Sequence, residues 1–269
     1  MTPARNTHGI AVLKKPAAAD DVARIVRDEG VVLIEDWVDR VACEALVQEQ
    51  ESIFKKGGTG IHAIDYEEGD VRVLTPRLAR LADYPVLQRS LFDKYLEDVS
   101  LKVLGPKSVF NSEVFCCLDQ HIDKPRAVNI LHFDKLRALK FFLYLTDTTS
   151  DNGAFGCIPK SHLAAQERVR QHLAHGRALK DLKNRDLPNF SGKDVPVEGK
   201  AGSLIVFDSD VLHRAGDVKP GLIRRVIRTH CRLEPAPVYN PKPLTSQWFR
   251  ESPLNVVGRL RRLSSHEAA

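Results

Sequence analysis

Apolar positions fall into two regimes along this chain. Between about residues 17 and 105 they recur mostly at helical spacing. Asp20 and Asp21 are placed to cap a helix from Val22 to Glu29 that Gly30 ends, and Val38 to Phe54 reads as a second amphipathic helix. Further helices are expected around Pro76–Leu81 and over Pro85–Leu104, with Gly105-Pro106 as a stop. Val31-Val32-Leu33-Ile34 is a short buried strand within this half, residues 1–16 a loose leader, and the Gly- and charge-rich stretch Lys55 to Asp70 a loop. From about residue 107 the period shortens. Ser108–Leu118, Ala127–Asp134, Leu139–Thr146, Ala154–Ile158, Ser203–Phe207 and Arg224–Arg232 are β-branched or aromatic runs separated by turn residues. Such a series predicts an antiparallel sandwich or barrel. The polar, helix-prone insertion at 163–199 is too long for a hairpin turn and suits either a lid or a surface excursion. The expected organisation is one domain over residues 1–269: a helical part at about 17–105, a β core at about 106–235 and a tail at 236–269.

Composition narrows the class. Hydrophobic residues make up 43% and charged residues 28%, ordinary values for a globular protein, and the mean hydropathy is −0.26. Lys140 interrupts the longest apolar run, far short of the roughly 20 residues that span a bilayer. The amino terminus has no apolar signal core, and the five cysteines show no paired metal-binding spacing. A cytoplasmic protein is expected, with no membrane partner. The net charge of +5 suits an anionic substrate or cofactor and equally suits mere solubility. No basic stripe interleaved with aromatics points to nucleic acid.

Ile130-Leu131-His132-Phe133-Asp134 is the strongest chemical signal. In an extended segment residues two apart share a face, so His132 and Asp134 point together while Leu131 and Phe133 pack on the other side. An imidazole beside a carboxylate supplies two ligands of a two-histidine, one-carboxylate site for non-haem iron(II). With 10 histidines and 35 acidic residues, chance alone gives roughly one His-x-acid match. A competitor exists in His121-Ile122-Asp123, but its turn-like surroundings hold ligand geometry less well than a strand. The third ligand is sought at His213, after the strand Gly202–Asp208. Eleven residues later comes Arg224, whose guanidinium suits a carboxylate on a co-substrate. Strand parity puts Arg224, Val226, Arg228 and His230 on one face and Arg225, Ile227 and Thr229 on the other, and it does not choose between Arg224 and Arg225.

Four pieces in this order resemble the phytanoyl-CoA dioxygenase family of Fe(II)/2-oxoglutarate-dependent oxygenases. They are His132-Phe133-Asp134; Leu145-Thr146-Asp147 with Asn152-Gly153 and Ile158-Pro159-Lys160-Ser161-His162, where Lys160 stands at a usual glycine; Gly202 to Asp208 with His213; and the arginine eleven residues on. The opening at Glu29–Val38 is also similar. The resemblance implies a mainly β fold with flanking helices, a double-stranded β-helix of the jelly-roll or cupin type. It implies iron(II) on His132, Asp134 and His213, 2-oxoglutarate and O2 as co-substrates, and Arg224 rather than Arg225 on the distal carboxylate. The implied activity is oxidation, foremost hydroxylation, of a small molecule with release of succinate and CO2.

Lys140 is read as a second anchor for the co-substrate or for an anionic substrate, against a lysine that merely snorkels from a strand edge. His62 with Asp65 reads as an exposed loop, Cys116-Cys117 as strand packing, His162 as a turn cap, His230 as a core histidine, and Phe142, Tyr144 and Trp248 as core. Two other functions suit the same residues: a cupin-like metal enzyme of non-oxidative chemistry, and a non-catalytic barrel serving as a binding module.

Overall fold

A computed structural model describes residues 3–56, 61–65, 70–74, 81–110, 113–124, 127–185, 187–188 and 190–233. Its elements in chain order are β1 (Ala4–Arg5), β2 (Ala11–Lys14), α1 (Ala19–Glu29), β3 (Val31–Glu35), α2 (Arg40–Lys56), β4 (Ile61–Asp65), β5 (Asp70–Leu74), α3 (Pro85–Leu91) and α4 (Lys94–Leu104). There follow β6 (Ser108–Phe110), β7 (Val114–Gln120), β8 (Ala138–Tyr144), β9 (Phe155–Ile158), α5 (Ser161–Ala174), β10 (Val195–Val197), β11 (Leu204–Asp208), β12 (Leu212–Arg214) and β13 (Ile223–Leu233).

The strands form two sheets. The large one runs β1-β2-β3-β11-β8-β13-β7-β5-β4, with β6 also against β13, and the small one runs β10-β9-β12. All pairings are antiparallel except β2 with β3. Each strand of the large sheet alternates between two environments. Outward residues such as Phe141, Leu143, Val206 and Ile227 pack under α1, α2, α3 and α4. Inward residues such as Phe115, Tyr144, Ile205 and Phe207 pack with Phe155, Cys157 and Val197 of the small sheet. The result is the mainly β, jelly-roll arrangement of a double-stranded β-helix, with helices on one outer face.

Local chemistry departs from expectation in several places. Lys55–Asp70 is not a loop throughout, because Ile61–Asp65 pairs with Asp70–Leu74 and Val71 and Val73 pack inward on β7. Alternation in these short strands is masked in sequence by the charged residues around them. The leader also joins the sheet, β2 running parallel to β3. Asp20 and Asp21 do not cap α1. They sit in its first turn, where a negative charge suits the helix dipole, and the cap position is Ala18. Gly30 does end α1, at φ 81°, and a Cβ there would collide with Val211 and the His162 ring. Pro85–Leu104 is two helices, since the Asp93 carboxylate accepts the Tyr95 N–H and starts α4 afresh. The insertion at 163–199 is helical only at first, and Val195–Val197 then extends the small sheet. Lys160 takes the glycine conformation itself, at φ 67°. No helix among the described residues is long and apolar enough to cross a membrane. The helix expected at Pro76–Leu81 lies outside the described residues except for Leu81, which opens a 3-10 turn. Trp248 and the 236–269 tail also lie outside them.

Candidate metal centre

His132 does not sit in a regular strand. Ala127–Asn129 is a 3-10 turn, and the segment beyond is fixed by backbone bonds to the strand that carries His213. The His132 N–H donates to His213 O at 3.0 Å and the His213 N–H donates to His132 O at 2.8 Å, while the Asp134 N–H donates to Ser209 O at 2.9 Å. Phe133, fully buried, points away and packs with Leu179, Leu182, Leu187 and Leu212. The alternation expected of a strand therefore survives without one.

Both rings are oriented by their own chain. The Nδ1 of His132 lies 2.8 Å from Ile130 O, and that of His213 lies 2.7 Å from Val211 O. A carbonyl only accepts, so each Nδ1 carries a proton, and the neutral ring in that tautomer has its lone pair on Nε2. Those two Nε2 atoms lie 4.0 and 3.8 Å from Asp134 Oδ1, too far for a hydrogen bond. One ligand atom from each of the three residues lies within 4.8 Å of the others, the one such cluster among the described residues. Lys140 Nζ takes the other carboxylate oxygen, Oδ2, at 2.6 Å. Burial alone would raise the Asp134 carboxyl, but Lys140, His213 and His132 more than offset it and hold it at about 2. Burial lowers His213 to about 3, with Lys140 and His132 acting in the same direction against Asp134. Two imidazoles with Nε2 turned to the centre and one ionised carboxylate, converging without bonding to one another, fit a divalent transition metal.

The three residues open on a cavity of about 230 Å³ that Lys140, Arg224 and Arg228 also line. Arg224 is buried; its Nε and Nη2 donate to Asp119 Oδ2 at 3.1 and 2.9 Å, and its Nη1 donates to Gly153 O. Arg225 lies on the opposite face, where it meets Gln50 and Glu51 of α2. His121 and Asp123 pair at 3.5 Å at an exposed site, without a third ligand among the described residues. His162, in the first turn of α5, donates through Nε2 to Arg27 O at 2.9 Å. Burial lowers His230 to about 3, in register with Lys140 on the inner face. Phe142, read as core, lines the cavity instead. The side chains of His62 and Asp65 lie outside the described residues. Asp119, the partner of Arg224, and Arg214, held to Asp194 at 2.6 Å, do not stand out in the sequence, because their partners are distant in the chain.

The family model for phytanoyl-CoA dioxygenase matches residues 26–226, a span that holds all three ligand candidates and Arg224. The chain belongs to the phytanoyl-CoA dioxygenase family. This makes it a non-haem enzyme of the Fe(II)/2-oxoglutarate-dependent class, with iron(II), 2-oxoglutarate and O2 as its reactive partners. No curated protein matches the chain. Solved structures share the family's fold at low identity. The alpha ketoglutarate-dependent epimerase SnoN of nogalamycin biosynthesis is 15% identical, with a TM-score of 0.57, over 86% of this chain and 92% of its own. The carbocyclase SnoK of the same biosynthesis is 17% identical, TM-score 0.55, over 80% and 86%. HygX from Streptomyces hygroscopicus, solved with nickel and 2-oxoglutarate bound, is 15% identical, TM-score 0.54, over 81% and 88%.

Proposed function

We propose that His132, Asp134 and His213 hold the iron(II) of an oxygenase that hydroxylates a small molecule, with Arg224 on the distal carboxylate of 2-oxoglutarate. The convergence of two Nε2 atoms and Asp134 Oδ1 on the cavity that Arg224 lines carries this reading. When bound, the metal and 2-oxoglutarate supply the oxidising chemistry, with succinate and CO2 as by-products. The protein supplies position. Val211 O and Ile130 O hold the imidazoles in one tautomer. Lys140 acts through Asp134: its ammonium holds Oδ2, leaving Oδ1, the atom facing both rings, as the donor. Asp119 and Gly153 O aim the Arg224 guanidinium and keep it charged in a buried place. Phe155 and Phe207 against the His213 ring keep water from that side.

Asp134 also favours hydroxylation over halogenation, because its carboxylate takes the metal position that a halide would need. SnoN is an epimerase and SnoK a carbocyclase, and the same donor set is compatible with either chemistry. The test is anaerobic titration of iron(II) and then 2-oxoglutarate, followed by the visible band of the keto acid chelated to iron. The wild type develops the band. His132→Ala, Asp134→Ala and His213→Ala lose it and lose 2-oxoglutarate turnover, since a site with three protein ligands has none to spare. A band that persists in His132→Ala or His213→Ala overturns the assignment.

A further inference from the structure

The cavity beside the candidate metal centre is lined by the cationic side chains Lys140, Arg214, Arg224 and Arg228. Three of these have carboxylates: Lys140 meets Asp134 at 2.6 Å, Arg214 meets Asp194 at 2.6 Å, and Arg224 meets Asp119 at 2.9 Å. Arg228 differs. Among the described residues it has no ion-pair partner, and aromatic rings take that place. Register sets it opposite Phe115 of β7 and Phe142 of β8, and its guanidinium carbon lies 4.3 and 5.5 Å from those two ring centroids. The Cys117 thiol, inward on β7, is its polar neighbour. The residue is half-buried.

Ring contacts recover only about 0.5–2 kcal/mol for a guanidinium, well short of what a carboxylate returns to a desolvated cation. Stacking occupies the flat faces and leaves the N–H edge as the recognition surface. That edge matches the two oxygens of a carboxylate. With Arg224 assigned to 2-oxoglutarate and Lys140 to Asp134, Arg228 is the cation of this cavity that still lacks an anion, co-substrate included. Val71, Phe142, Phe155 and Val226 line the same space and suit an apolar remainder.

We propose that Arg228 receives the carboxylate of the substrate, and that the substrate is a small acid with an alkyl or aryl body. This inference rests on the reading of Arg224 as the co-substrate anchor. The probes are 3-phenylpropanoate and octanoate, each paired with its primary amide. They are titrated by calorimetry into protein loaded with nickel(II) and 2-oxoglutarate. At least one acid binds about tenfold or more tighter than its amide in the wild type, a difference typical of a charge-assisted pair. Arg228→Met removes that preference and leaves the Kd for 2-oxoglutarate within about twofold of wild type, whereas Arg228→Lys, which keeps the charge, retains part of the preference. Equal affinity for acids and amides, or no binding of any probe, overturns the proposal. So does a loss of 2-oxoglutarate affinity in Arg228→Met as large as that in Arg224→Met, for Arg228 then serves the co-substrate. An acid preference that depends on Arg228, in a protein that fails to bind 2-oxoglutarate, upholds the acid site and overturns the co-substrate reading instead.

Discussion

Strand β13 carries arginines at adjacent positions that live in different surroundings. Arg224 faces the cavity, is 7% exposed, and is held by the buried carboxylate of Asp119. Arg225 faces α2 and reaches the half-exposed Glu51. The contrast holds for the whole strand. Its inner side presents Arg224, Val226 and Arg228 to the cavity, and its outer side puts Ile227 into an aliphatic core and Thr229 onto Glu113 O. One face is built for recognition and tolerates the buried charge of Arg224 because that cation is aimed at the Asp119 carboxylate. The other is built for stability and carries charge only at its rim. Gln50 joins the two: fully buried on α2, it donates to the sheet carbonyls of Cys117 and Val226 and accepts from Arg225.

Breaking the inner face at Arg224 has the largest effect expected from this strand. Arg224→Met loses about 2–5 kcal/mol of 2-oxoglutarate binding, a Kd increase of at least about thirtyfold in anaerobic titration. The same change strands Asp119, and a buried charge without its partner costs about 3–5 kcal/mol of stability. Adding Asp119→Asn removes that second penalty. The double variant therefore recovers thermal stability but not 2-oxoglutarate affinity. Recovery of both would mean that Arg224 serves the fold alone.

Ile227→Ala sharpens the contrast from the other side. Ile227 is fully buried between Cys116 and Leu143 under the helices. Its truncation costs about 2–5 kcal/mol by denaturant unfolding. The folded protein then binds 2-oxoglutarate with unchanged affinity, because no inward side chain has been altered. A weakened co-substrate Kd at full folding would show that the two faces are coupled through the strand.

The same strand explains how far the sequence could be read. Alternation assigns Arg224 and Arg225 to opposite faces, but which face is inside depends on what packs there, α2 on one side and the small sheet on the other. Those partners come from residues 40–56 and 155–214. His132, Asp134 and His213 are visible because each lies in a short apolar run whose alternation survives even where regular strand pairing does not, as at the isolated bridge between His132 and His213. Their partners are not visible. Asp119 is 105 positions from Arg224, and only the register of β7 on β13 brings them together. Lys140 stands out as a charge in an apolar strand, yet nothing local says that its ammonium meets Asp134. The β4–β5 hairpin and the strands of the leader are hidden for a related reason, since short strands at the two ends of a sheet owe their conformation to the sheet they join rather than to their own composition.

Arg225→Met is the mildest change on this strand and the strictest check on the separation of its faces. Its ion pair with Glu51, 3.1 Å long, has one partner with 43% of its side chain exposed, and such pairs contribute at most about 1 kcal/mol. Its bond to Gln50 Oε1 matters more than this exposure suggests, because Gln50 is fully buried and its acceptor is left without the arginine N–H. Losing that donor adds about 1 kcal/mol, so the whole cost is about 1–2 kcal/mol by denaturant unfolding. Glu51→Ala removes only the rim contact and should cost about half as much or less. The difference between the two variants isolates the Gln50 bond. Equal losses would mean that Gln50 holds Cys117 O and Val226 O without help from Arg225. In both variants the Kd for 2-oxoglutarate stays at the wild-type value, because the sheet lies between Arg225 and the cavity. A rise comparable to that of Arg224→Met would place both arginines in one electrostatic environment and dissolve the distinction between the faces.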